Sequence, residues 1–166
     1  MRYGSGLRCL LLMIVLGTGT RLACLFVATD NSADRKSLNI KHETSFVVFP
    51  ADCNANFPML FGGKVLAEMD RCAGVTTRRL LYASSVKDAV TVGIADMKFH
   101  RAGKVKDLLF VSSEVIKLGD KSITIRVQVH REDGKAAREL LAEGIFTFVA
   151  YDTAAQKAVS HGLSLP

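Results

Sequence analysis

The stretch from Gly62 to Tyr82 limits the folds open to this chain more than any other. The Gly62-Gly63 pair and Pro58 before it are turn and breaker signals, and they forbid regular structure ahead of Lys64. From there Val65, Leu66, Met69, Ala73 and Thr77 recur at the spacing of one helix face. The pattern predicts one long helix, from about Gly63 to about Tyr82. Four strand-like segments follow: Val90 to Phe99, Lys106 to Lys117, Ser122 to His130 and Leu140 to Tyr151. The third alternates most cleanly, with Ile123, Ile125, Val127 and Val129 set against Thr124, Arg126, Gln128 and His130. Leu118-Gly119-Asp120-Lys121 predicts a tight hairpin connection, and Arg131 to Lys135 a polar turn. Ahead of the helix, Thr44 to Phe49 is a β-branched and aromatic run closed by Pro50, a first strand. One strand, one long helix and a run of antiparallel strands make an α+β domain, with the helix's apolar stripe in the concave face of a curved sheet.

Asp70 is the odd residue of that stripe. It lies four residues after Leu66 and three before Ala73, at a position meant for the core. Burial without a partner disfavours an ionised carboxylate, which is how a general base near neutrality is made. The plainer alternative is a carboxylate at the edge of the stripe, paired with Arg71 or Arg78 or simply hydrated.

The loop before the helix carries a resemblance. Phe49-Pro50-Ala51-Asp52-Cys53-Asn54-Ala55-Asn56, then Phe61-Gly62-Gly63, then Met69-Asp70, resembles the opening of the hot-dog-fold acyl-CoA thioesterases, most closely the short bacterial acyl-CoA hydrolases and the related cytosolic long-chain enzymes. The resemblance runs from about His42 to Tyr151, and weakly to Pro166. Asp96-Met97-Lys98-Phe99-His100-Arg101 with Val105-Lys106-Asp107, the Gly119 and Ser122 turn, and Ala142-Glu143-Gly144 with Phe146 to Ala150 are similar to later segments of that family. Two departures stand out. Phe57-Pro58-Met59-Leu60 makes the loop longer and stiffer than usual, and Ala102-Gly103 replaces a usual proline.

The resemblance implies a hot-dog fold, a curved antiparallel sheet wrapped around one central helix. It implies hydrolysis of fatty acyl-CoA at a site between two subunits. Asp70 is then the general base or, as an alternative, the nucleophile. Asn54 or Asn56 orients the water or the carbonyl, the alternative for each being an Asx turn. Backbone amides at Gly62, Gly63 and Lys64, unpaired at a helix start, form an oxyanion hole. Coenzyme A lies near Gly119, Asp120, Lys121 and Ser122, with Arg78, Arg101, Lys104 and Lys106 as further candidate phosphate partners. Each of these basic residues has the alternative of plain surface charge. No cofactor is expected beyond the coenzyme A of the substrate. The expected partners are acyl-CoA and further copies of the chain, as a dimer or a tetramer or hexamer built from dimers. Two rival functions are a non-catalytic acyl-CoA binder and a hydratase or dehydratase using Asp70 with His100.

Composition narrows the partners. The net charge of +6 divides evenly, with +3 in residues 1–40 and +3 in residues 41–166. A mildly basic domain suits an anionic small ligand, and the absence of Trp and of basic–aromatic interleaving argues against nucleic acid. Cys9, Cys24, Cys53 and Cys72 have no metal-ligand spacing, and Cys72 reads as a small core residue. There is no GxSxG elbow, and Ser160-His161 is a tail pair with no placed acid.

Residues 1–40 read as an extension and linker, and 41–166 as the domain. Arg2 and Arg8 precede the apolar run Leu10 to Leu16, the outline of a secretory signal. The alternatives are a membrane-lying anchor or translation from too early a start. A coenzyme A substrate favours the cytoplasm, with membrane contact only if that segment is a real anchor.

Overall fold

The computed structural model describes residues 40–132, 134 and 137–163. The signal-like run and its linker lie outside the described residues, as do Cys9, Cys24, Asp133 and Lys135.

The elements follow the expected order. Strand β1 spans Lys41–Val47. A 3-10 turn, Pro50–Asp52, leads into β2 (Cys53–Asn54) and β3 (Phe57–Leu60). Helix α1 spans Gly62–Leu81, and β4 (Asp88–Phe99), β5 (Leu108–Leu118), β6 (Ser122–Glu132), β7 (Arg138–Asp152) and β8 (Lys157–Ala158) follow. The main sheet is antiparallel in the order β1-β5-β6-β7-β4, with β8 paired to β7. The sheet curves around α1, as the hot-dog arrangement requires.

The segment ahead of the helix departs from expectation. Phe57–Leu60 is a strand despite Pro58: its ladder to the two-residue β2 runs through Phe57 and Leu60, and Met59 bridges to Lys104 on its other side, so Pro58 itself takes no paired position. Regular structure therefore precedes Lys64, and the helix itself begins at Gly62.

The core forms where the helix stripe meets the concave face. Val65, Met69, Cys72, Ala73, Leu80 and Leu81 are buried against Leu109, Val111, Ile123, Ile125, Val127 and Phe146. A polar seam runs through this contact. Ser113 Oγ lies 2.6 Å from Thr76 Oγ1 and 3.2 Å from Cys72 Sγ, so the buried groups satisfy one another. Burial pushes the Cys72 thiol up, so it is a packed core residue, as its place on the helix suggested.

The buried acid of the helix is Glu68, not Asp70. Its carboxylate pairs with Lys64 Nζ at 2.9 Å and Arg71 at 3.0 Å, and Lys64 reaches on to Asp52 at 3.4 Å. The Glu68 hydrogen bond holds the Lys64 ammonium above its ordinary range. Asp70 lies one step round the helix at the edge of the stripe, half-buried. The stripe is centred on the 65-69-72-76-80 line, and that rotation places Asp70 beside β4 instead of beneath the sheet.

Two histidines give the fold a pH dependence. Burial, then the nearby Arg79, lowers the pKa of His42 below 6.5. Burial, then Arg138, does the same for His130 against an opposing pull from Glu43. Each binds its proton more readily when unfolded, so stability is lost as pH falls below about 6.5. Thermal midpoints recorded from about pH 7 down to about pH 5 should fall, and should fall less for the His42→Gln, His130→Gln variant.

Candidate active site

Asp70 faces β4 across the α1–β4 seam. Thr91 Oγ1 donates a hydrogen bond to Asp70 Oδ1 at 2.9 Å. Neither Arg71 nor Arg78 pairs with it: Arg71 is committed to Glu68, and Arg78 forms no ion pair among the described residues. Asp70 Oδ2 has no hydrogen-bond partner among the described residues. One oxygen is thus oriented by a neutral donor and the other is open to a water. Glu68, by contrast, spends its carboxylate on two cations. Thr91 carried no signal in the sequence. It lies 21 residues from Asp70, and only the packing of β4 against α1 brings them together.

From Asp70 the same helix face runs on through Gly74, Thr77 and Arg78. These residues, with Leu81, Tyr82 and Phe148, line an open crevice of about 450 Å³ between α1 and the start of β4. An added Cβ at Gly74 would meet nothing within 4 Å. Lys87 Nζ bridges the carbonyls of Leu81, Tyr82 and Ser84 and closes the helix C-terminus, with Arg78 and Arg79 in the last turn.

The glycine end of α1 is a separate cluster. No side chain caps the helix, and the N–H groups of Gly62 and Gly63 find no acceptor among the described residues. The Lys64 amide drops out of the expected oxyanion set, because it donates to Phe61 O at 2.9 Å. A Cβ at Gly63 would lie 2.4 Å from the ring of the exposed Phe61, which would have to swing aside. The β2–β3 hairpin stands directly before this end. Asn54 Nδ2 donates to Met59 O at 3.1 Å and closes that hairpin, while Asn56 is exposed at its turn. Arg101 is held by Glu139, which also binds Arg131.

The two clusters are apart within one protomer. Gly62 and Asp70 are eight residues apart on one helix, about 12 Å of rise. Phe99, at the far end of β4 from Thr91, is what packs beside Gly62. Sheet register brings a different predicted group toward Asp70. Ile123 pairs with Phe148, and Phe148 with Thr91. The β5–β6 turn, which holds Gly119, Lys121 and Ser122, therefore lies at the Asp70 end of the sheet. His100 does not: its Nε2 is 3.1 Å from Glu143 at the opposite end of β4, and that contact holds the Glu143 carboxyl below its usual range.

Comparison with known proteins agrees with this architecture. Residues 57–137 match the model of the thioesterase superfamily. An uncharacterized acyl-CoA thioester hydrolase of Haemophilus influenzae is 30% identical over 112 residues, covering 64% of this chain and 68% of that protein. The chain belongs to the thioesterase superfamily. Solved members superpose on it. A hexameric thioesterase from Yersinia pestis gives a TM-score of 0.64 at 29% identity, over 73% of this chain and 94% of that one. An acyl-CoA hydrolase from Staphylococcus aureus, solved with butyryl coenzyme A and coenzyme A, gives 0.65 at 26% identity, over 74% and 71%. Among the described residues, no helix of this superfamily member is long and apolar enough to cross a membrane.

Proposed function

We propose that this chain is an acyl-CoA thioester hydrolase that releases free fatty acid and coenzyme A, with Asp70 as general base. The observation that carries the reading is the state of Asp70: half-buried one helical turn before the crevice that begins at Gly74, one oxygen fixed by Thr91 and the other without a partner among the described residues. Its carboxylate takes a proton from water as the water oxygen attacks the thioester carbonyl carbon. Charge develops on the carbonyl oxygen, where two uncapped backbone N–H groups stabilise it. The tetrahedral intermediate expels the coenzyme A thiolate, and the proton held by Asp70 neutralises it. The reaction consumes only water and draws on no cofactor.

The separation of about 12 Å between Asp70 and Gly62 is too long for both to act on one carbonyl. A second copy removes the difficulty. β4 is an edge strand of twelve residues with Val90, Val92, Ile94 and Phe99 exposed, while the other edge, β1, presents Lys41 and Glu43. The stretch of β4 from Ala89 to Ala95 carries no charge, and uncharged apolar edges pair where charged ones are protected. Antiparallel pairing of β4 with its copy across a two-fold axis sets the Thr91 end of one strand beside the Phe99 end of the other. Asp70 then faces Gly62, Gly63 and Asn56 of the partner subunit. Asn54, occupied within its hairpin, takes a structural role in this reading. Gly119, Lys121 and Ser122, at the Asp70 end, are the coenzyme A contacts; Arg78 lines the crevice between α1 and β4 instead, and Arg101, tied to Glu139, is the weaker candidate.

The crevice beyond Asp70 is the acyl site. Leucine at Gly74 fits the open space and improves helix propensity by about 1 kcal/mol. Gly74→Leu should keep turnover of short acyl-CoA and lose about tenfold or more in kcat/KM for long chains. Equal loss on all chain lengths would place the acyl group elsewhere.

Release of free thiol from a panel of acyl-CoA esters tests the activity directly. Saturable binding of acyl-CoA with no thiol release by folded protein would replace this reading with that of a non-catalytic binder, which the inserted Phe57–Leu60 segment motivates.

A further inference from the structure

The Ser160-His161 pair, unmatched in the sequence, meets an acid in the fold. Ser160 Oγ donates to Asp120 Oδ1 at 2.7 Å. No triad results, because the imidazole points elsewhere. His161 is buried, its Nδ1 accepts from the Leu163 N–H at 3.1 Å, and its Nε2 donates toward Ser122 O at 3.4 Å. The serine proton goes to a carboxylate without the imidazole between them, so this serine is not activated.

These bonds share a target, the β5–β6 turn. The His161 N–H donates to Asp120 O at 3.2 Å, and the Ala150 N–H to Lys121 O at 2.9 Å. Inside the turn the Gly119 N–H donates to Ser122 O at 2.8 Å. A Cβ at Gly119 would lie 2.5 Å from Ser122 Oγ, so the turn is closed tightly on itself. The tail is in turn anchored. The Val159 N–H donates to Ala150 O at 3.0 Å, and Ser84 Oγ, just past α1, donates to His161 O at 2.7 Å. An exposed hairpin turn is ordinarily one of the looser parts of a domain. Here the carbonyls of Asp120, Lys121 and Ser122 are all held, two of them by the tail, while the Lys121 side chain remains exposed.

We propose that the C-terminal segment from Val159 to Leu163 is a positioning strap. Through Ser160 and His161 it fixes the β5–β6 turn in the conformation that receives the nucleotide end of coenzyme A. The inference rests on the assignment of that turn to coenzyme A. Ordering the turn during folding spares that cost at binding, so the strap acts on substrate affinity and not on the chemical step. Neither Ser160 nor His161 touches substrate; both act through the backbone of the turn.

Steady-state kinetics of Ser160→Ala and His161→Asn, with an acyl-CoA and with the same acyl group on N-acetylcysteamine, test this. Each variant should raise KM for acyl-CoA about threefold to tenfold, the loss of a single hydrogen bond. The short thioester, which lacks the nucleotide, should keep its KM, and kcat should hold within about twofold for both substrates. Ser160→Thr keeps the hydroxyl and should restore KM. Lys121→Ala is the control for the turn itself. If it raises KM for acyl-CoA and the strap variants do not, the strap is overturned and the turn assignment stands. If neither does, the turn assignment fails and takes the strap with it. If the strap variants raise KM equally for both substrates, the effect is general loosening and the positioning role is overturned.

Discussion

Replacing Asp70 by asparagine lowers kcat for acyl-CoA hydrolysis by two to four orders of magnitude, on the order of what positioned proton transfer contributes. The fold is expected to survive. The amide side chain of Asp70→Asn keeps an oxygen where Oδ1 accepts from Thr91, and it sits at the edge of the core with no ion pair to lose. The thermal midpoint therefore stays close to that of the parent, within about 0.5 kcal/mol of stability. Glu68→Gln is the opposite case. It removes the partner of Lys64 and Arg71 from a buried position and costs stability, on the order of 1 kcal/mol since both cations are partly solvated. It leaves kcat in place. Stopped or initial-rate thiol release together with thermal melts separates the two. An Asp70→Asn enzyme that turns over near the parental rate removes Asp70 from the chemistry and with it the proposed mechanism.

Lysines at Val92 and Ile94 yield a folded protomer that no longer hydrolyses acyl-CoA. Both side chains are largely exposed on the β4 edge, 57% and 42%, so the core under the sheet loses little. Two-fold pairing of the strand with itself would bring like charges together, and like charges across an interface are strongly excluding. Sedimentation should report a monomer with a parental circular dichroism spectrum. Turnover should fall at least about a hundredfold, the loss expected when the oxyanion donors are withdrawn from the base. A monomeric variant with full activity would locate the whole site in one chain. A variant still dimeric and active would move the interface away from β4.

Much of the architecture is legible along the chain. The helix expected from Gly63 to Tyr82 runs Gly62–Leu81, and the alternation of Ser122 to His130 is the core of β6. Each depends on a period of two or 3.6 residues, which neighbouring positions carry by themselves. Two local patterns mislead: the first strand, expected from Thr44 to Phe49, runs Lys41–Val47, and Phe57–Leu60 is a strand although Pro58 argues against one. Reading the helix stripe a few tens of degrees off also put Asp70 in the core and passed over Glu68, the acid the fold buries. Spacing alone fixes which residues share a face, not which edge of that face the sheet covers.

The amino-acid sequence by itself determined the elements, their order and the residue types available for chemistry. The tertiary structure alone decided who meets whom: Asp70 with Thr91, Ser160 with Asp120 forty residues away, and Gly62 with Phe99 instead of with Asp70. The reason is one of range. Helix and strand patterns are written in side chains a few positions apart, whereas strand register and the rotation of α1 follow from packing the entire core at once.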